Sequence, residues 1–213
     1  MKLVFSFAAM LLATAASAQR LPVDERGTAA TIPENAEKAG VARKVMEQFA
    51  VCTYRNQAKL VEKRVLTPVV GAHPDMSGIA RSECLNYGEL RFDPVIFRGS
   101  LFAVMYRKRF AQMVPNVATA PVVKYQDDPN TLYSVSMRFA DCVVRSDPGN
   151  ADLLVRAFPV TKAEADALKA IMPAMSACIS KGRSSSMHKS TLRGFIVESL
   201  FKLSSAKATG ASN

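Results

Sequence analysis

Apolar residues recur along this chain at helical spacing rather than in alternation. Val41, Val45, Phe49 and Cys52 follow at intervals of four, four and three, and Leu132, Val135, Phe139 and Cys142 at three, four and three. Such intervals place side chains on one face of a helix, so each run predicts an amphipathic helix with that stripe buried. Each cysteine then lies on the buried face near a helix end. Thr31-Ile32-Pro33-Glu34 reads as a capping-box start with an early proline, and Asp128-Pro129 can open the matching helix. Short second helices are predicted over 57–66 and 150–158. Third helices begin at Ser77 and at the capping box Thr161-Lys162-Ala163-Glu164, with Pro173 expected to kink or break the latter. Last helices start at Asp93-Pro94 and near Ser190. They carry Val95, Phe102, Met105 and Tyr106, or Leu192, Phe195, Leu200 and Phe201. No run alternates strictly, and only 121–125 reads as extended. The predicted fold class is all-α.

The two series are copies of one pattern. Phe49-Ala50-Val51-Cys52-Thr53-Tyr54-Arg55 matches Phe139-Ala140-Asp141-Cys142-Val143-Val144-Arg145 as FAxCxxR, 90 residues on. Cys84 matches Cys178, and Phe97-Arg98-Gly99 matches Leu192-Arg193-Gly194. The matches keep their order while the offset drifts slowly upward, as in a duplicated unit with small insertions. The expected organisation is two tandem units of about four helices, over 31–110 and 128–203. A linker spans 111–127, a mobile leader 19–30, and a disordered polar tail 204–213. Gly99 and Gly194 fall mid-helix, where glycine costs about 1 kcal/mol relative to alanine. Their recurrence at one place in both copies predicts a close helix crossing.

The first 18 residues change the redox setting. Lys2, the apolar stretch Leu3–Ala13 and the small residues Ala16-Ser17-Ala18 form a secretory signal, with cleavage expected after Ala18. The apolar stretch is shorter than the roughly 20 residues of a membrane span. A periplasmic or secreted protein follows, not membrane-spanning once the signal is removed. All four cysteines, Cys52, Cys84, Cys142 and Cys178, are in the mature part, where disulfides form. Four cysteines allow three connectivities. Duplication selects Cys52–Cys84 with Cys142–Cys178, because a unit that folded before it was copied closed its own bridge. The competing pairing, Cys52–Cys142 with Cys84–Cys178, would staple the copies together.

The composition is that of a globular protein, 49% hydrophobic and 22% charged, and it offers little catalytic chemistry. There is no GxSxG, HExxH, CxxC, Walker A loop, GxGxxG or EF-hand loop. The two histidines, His73 and His188, stand far apart beside helix starts and read as surface or capping residues. No metal or other cofactor is expected, and the cysteines are better spent as bridges than as nucleophiles. Asp127-Asp128 is accounted for by a helix start, and Glu83 and Glu89 flank Cys84 without converging.

Charge is the uneven property. The whole chain carries a net charge of +10, and the excess lies between residues 41 and 125, with 13 basic against 6 acidic side chains. Residues 126–203 hold 10 against 8. Arg107-Lys108-Arg109 complements a helix dipole, but that does not account for the difference between the copies. Arg91, Arg98, Arg107, Lys108 and Arg109 are therefore the candidate anion-binding residues. The partner expected is an anionic envelope component or an acidic protein. No platform of interleaved aromatic and basic residues speaks for nucleic acid. The function expected is a non-enzymatic envelope binding or interaction module. The alternative is a hydrolase with dispersed carboxylates acting on envelope polysaccharide, whose acids need not be close in sequence.

The signal ending in ASA, FAxCxxR, a second cysteine and an [FL]RG helix, the last three occurring twice, resemble small exported alphaproteobacterial proteins with FAxC and LRG signatures. The resemblance covers most of the mature chain. Phe97 and the short third helix of the first copy depart from the commoner form. The resemblance implies an exported location and carries over no catalytic residue.

Overall fold

A computed structural model describes residues 33–70, 74–85, 93–123, 125, 130–179 and 187–210, with backbone alone for 33–38. The signal, the leader, Thr31, Ile32, the Asp128-Pro129 start, His73, Glu89 and Arg91 lie outside the described residues. Among these there are six α-helices and no strand: α1 (Pro33–Leu66), α2 (Pro94–Arg109), α3 (Leu132–Ser146), α4 (Pro148–Arg156), α5 (Lys162–Cys178) and α6 (Lys189–Gly210). The chain is all-α, and residues from Glu37 onward belong to one compact unit.

Side-chain caps set the helix starts. The Asp93 carboxylate accepts from Val95 N ahead of Pro94, and Thr161 Oγ1 accepts from Glu164 N, both as the capping signals predict. α3 opens instead at Thr131, whose hydroxyl accepts from Ser134 N. α4 opens at Asp147-Pro148, slightly before the expected 150. α1 runs through the expected break with a kink at Gln57 (φ −147°). Ninety residues on, Asp147 separates α3 from α4 with the same φ. Gln57 anchors its kink by donating to Ile79 O at 2.6 Å and accepting from Arg81 Nε at 3.2 Å. In place of a third helix from Ser77, the described residues of this stretch form a 3-10 turn over Ser82–Cys84. Pro173 stays inside α5 without ending it. The carbonyl it leaves without an amide partner is that of Lys169, and both residues are exposed.

α2 and α6 form the central pair. Phe97 to Ala103 are buried in succession, and so are Arg193 to Phe201. Helices buried all round need neighbours on every side. α3 and α4 pack on α6, α5 on α3 and α4, and α4 also on α2. α1 adds Met46, Phe49, Ala50 and Tyr54 to the core, with the Phe49 and Phe97 rings 5.2 Å apart. The central pair crosses at its glycines. A Cβ on Gly99 would lie 2.4 Å from Gly194 Cα, inside any permitted contact.

Three expectations are corrected by this packing. Phe49 is buried as expected, but the rest of the stripes read as buried are rotated outward: Val41 is 56% exposed and Leu132 72%, while Cys52 and Cys142 are half-buried. The buried faces are Met46–Glu47–Phe49–Ala50–Thr53–Tyr54 and Tyr133–Ser134–Ser136–Met137–Ala140–Val143–Val144. Segment 111–127 is more than a linker, because Val117, Ala120 and Tyr125 are buried. Arg145 clamps it by donating to the carbonyls of Ala118, Ala120 and Pro121. The expected disordered tail is helical through Gly210, with Ser204 buried, since α6 continues along the core.

Candidate functional site

The cysteines pair as Cys52–Cys84 and Cys142–Cys178, with Cα–Cα distances of 5.7 and 5.8 Å. The first ties α1 beside its kink to the 3-10 turn, and the second ties α3 to the end of α5. Closing loops of this length stabilises by about 3.5 kcal/mol in the chain-entropy model. Two disulfides fit an oxidising, non-cytoplasmic location. No helix among the described residues is long and apolar enough to cross a membrane.

The arginine of each [FL]RG motif points inward. Arg98 is 1% exposed, and its Nε and Nη2 donate to both oxygens of Glu198 at 3.0 and 2.9 Å. Tyr133 donates to the same carboxylate at 2.5 Å, and Lys202 Nζ lies 2.8 Å from it. Burial alone would raise the Glu198 carboxyl above its ordinary value. The opposing charges and hydrogen bonds of Arg98 and Lys202 outweigh it and hold the group at about 2. Arg193 is 4% exposed, 3.5 Å from Glu47 and 3.3 Å from Glu164. Arg107 also pairs with Glu47, and Arg43 with Glu164. The other Glu164 oxygen accepts from Val160 N at 2.9 Å, holding Val160 at a φ of 63° that β-branched residues rarely adopt. Burial lowers Arg193, and Glu47 and Glu164 oppose that shift. Charges can stay in this interior because each is paired, although Glu47 Oε2 and Arg193 Nε have ion-pair contacts without a hydrogen bond.

Buried phenols extend the network. Tyr106 donates to Asp152 and Tyr125 to Asp141, each at 2.7 Å. Burial first, and with it Asp152, Asp141 and Glu198 respectively, push Tyr106, Tyr125 and Tyr133 well above the ordinary tyrosine range. The pH dependence follows. Glu198 is depressed, so its contribution is whole above its unfolded value of about 4.5 and is lost as pH falls towards 2. The tyrosines are raised, so theirs is whole below about pH 10 and declines above it. Equilibrium denaturation between pH 2 and 11 should show a plateau with losses at both ends. The acid loss should be on the order of 3 kcal/mol from Glu198.

This network relocates the candidate anion-binding residues. Arg98 is shut in the core and neutralised. Arg107 is committed to Glu47 and to Val155 O. Lys108 and Arg109 remain exposed, their charges over the Tyr54 and Phe201 rings at 5.1 and 5.5 Å. Sequence reasoning missed the inward role of Glu47, Glu164, Arg193 and Glu198. The signal available was a charged residue inside an apolar run, as in Val95-Ile96-Phe97-Arg98-Gly99.

Two clefts adjoin the network. One, about 20 Å³, lies between Arg43, Met46, Gly99, Arg193 and Gly194 and is too small for an organic ligand. The other, about 270 Å³, is walled by Val69, Val70 and Pro74, with Arg98 at one side and the Arg64–Asp75 pair at 2.7 Å. Neither is lined by two carboxylates, and the buried carboxylates Glu47, Asp152, Glu164 and Glu198 are each held by arginine. His188 is exposed and directly precedes α6. Among the described residues no group of three metal-ligating side chains occurs. The fold and its bridges define an all-α, doubly disulfide-bonded protein. Comparison with family models, curated proteins and solved structures returned no match.

Proposed function

We propose that this is an exported helical binding module that engages an anionic envelope component through its first half. One observation carries the reading. The outward side chains of α1 include Lys44, Arg55, Lys59 and Lys63, all exposed. The two acids on the described side-chain part of that helix are withdrawn, Glu47 into the core and Glu62 onto the Tyr54 hydroxyl. Lys108 and Arg109 add to the same half. The corresponding arginine of the second half, Arg145, is spent on Asp141 and the backbone of 118–121. The paired breaks at Gln57 and Asp147, and the two bridges, support duplication of one helical unit. The duplicates differ in their outer charge as well as in the element that carries the second cysteine.

Retention on dextran sulfate tests this with net charge held equal. Lys44→Gln, Lys59→Gln and Lys63→Gln together should move elution to clearly lower salt. Lys162→Gln, Lys169→Gln and Lys189→Gln remove the same charge from exposed positions of the second half and should move it little. Equal shifts would mean that only net charge is sensed, and the reading would fall.

A further inference from the structure

The outward rotation of α1 leaves a surface that neither the core nor the bridges use. Val41, Lys44, Gln48, Val51, Arg55, Lys59, Lys63 and Leu66 succeed one another at intervals of three or four, and every one is exposed. The kink at Gln57 divides the series into Val41–Arg55 before it and Lys59–Leu66 after it, each part holding cations together with an exposed aliphatic side chain. It holds four cations, no acid, and apolar side chains 56%, 40% and 43% exposed at Val41, Val51 and Leu66. Val45 and Leu60, 37% and 41% exposed, adjoin it.

We propose that this face of α1 docks the protein on the surface of an anionic phospholipid bilayer. The inference rests on the anionic-partner reading and narrows it to one partner. Isolated exposed valines mean little. Apolar side chains set among cations on one helix face are a different matter. Aliphatic groups can enter the boundary between headgroups and acyl chains, while lysine and arginine reach up to the phosphates along their aliphatic stems. A soluble polyanion such as a polysaccharide would reward the cations and leave the valines and leucines wet. The outer face of α3 and α4 supplies the internal contrast. Leu132, Val135 and Leu153 are exposed there too, with Arg138 the cation among them. An aliphatic surface without the charge has no comparable pull towards an anionic headgroup.

Co-sedimentation with phosphatidylcholine vesicles, with and without phosphatidylglycerol, tests the proposal on the purified oxidised protein. Binding is expected only with phosphatidylglycerol and should weaken as salt rises. Replacing Lys44, Arg55, Lys59 and Lys63 by glutamine should weaken binding roughly 5-fold per charge, and more than about 100-fold together. Replacing Val41, Val51 and Leu66 by serine should weaken vesicle binding by roughly 10-fold and leave dextran sulfate retention unchanged. These positions are exposed, so all variants should melt as the parent does, and a melt separates lost docking from lost fold. Stripe-dependent dextran sulfate retention without vesicle binding would overturn the lipid assignment and leave the anionic reading standing. Failure on both would overturn both. Equal binding to neutral vesicles, or by the glutamine variant, would also overturn the assignment.

Discussion

Replacing Glu198 by alanine should destabilise the protein by about 3–5 kcal/mol, because it strands Arg98 in the core without a counter-charge. Arg98 is 1% exposed and spends both Nε and Nη2 on that carboxylate. Tyr133 and Lys202 lose the same acceptor. The loss arises from the orphaned charge more than from any large net contribution of the pair. Arg98→Met combined with Glu198→Leu should therefore recover part of the stability, since apolar replacement of a buried pair is often neutral or better, while the buried Tyr133 hydroxyl still lacks its acceptor. Denaturant titration with both bridges intact measures all three proteins. If the double variant is as unstable as the single one, packing shape rather than charge holds this site together.

The second large effect is asymmetric. Gly99→Ala should cost about 2–3 kcal/mol, because its new methyl would meet the Gly194 backbone, which cannot step aside as a side chain can. Gly194→Ala should change stability by less than about 1 kcal/mol. Its Cβ would stand 3.4 Å from Gly99 Cα, near ordinary contact, and alanine recovers helix propensity. Thermal melts of the two variants make the comparison. Equal losses would mean that the crossing is symmetric, contrary to the 2.4 Å approach on one side.

These glycines, both bridges and the caps at Asp93 and Thr161 were legible in the sequence, because each depends on local chemistry or on the spacing of matched residues. The phase of α1 and α3 was not. Periodicity assigns aliphatic residues inward and charged ones outward, and here Glu47 goes in while Val41 and Val45 go out. The carboxylate is accepted because Arg107 and Arg193 meet it, and they stand 60 and 146 residues away along the chain. No local pattern reports such a partner. The same blindness made Arg98 a surface candidate and left the α1 stripe unseen. Segment 111–127 misled for a related reason: few charges and two prolines suggested a spacer, whereas Arg145, near the far end of the helix that follows, donates to three of its carbonyls.

The pairing of Arg98 with Glu198 spans 100 residues and bears on the order in which the molecule assembles. A nascent chain ending near residue 110 holds Phe97, Leu101 and Phe102 on α2 without α6 to cover them. Its buried arginine also has no acid to meet. Whatever an ancestral single unit did, the first half of the present chain has its central helix covered by the second. Contacts between distant segments form late, since the chain between them must first be closed. The core around α2 can close only once α6 is there to cover it. A chain not yet closed is one that can still be threaded towards the oxidising, non-cytoplasmic setting its two disulfides fit.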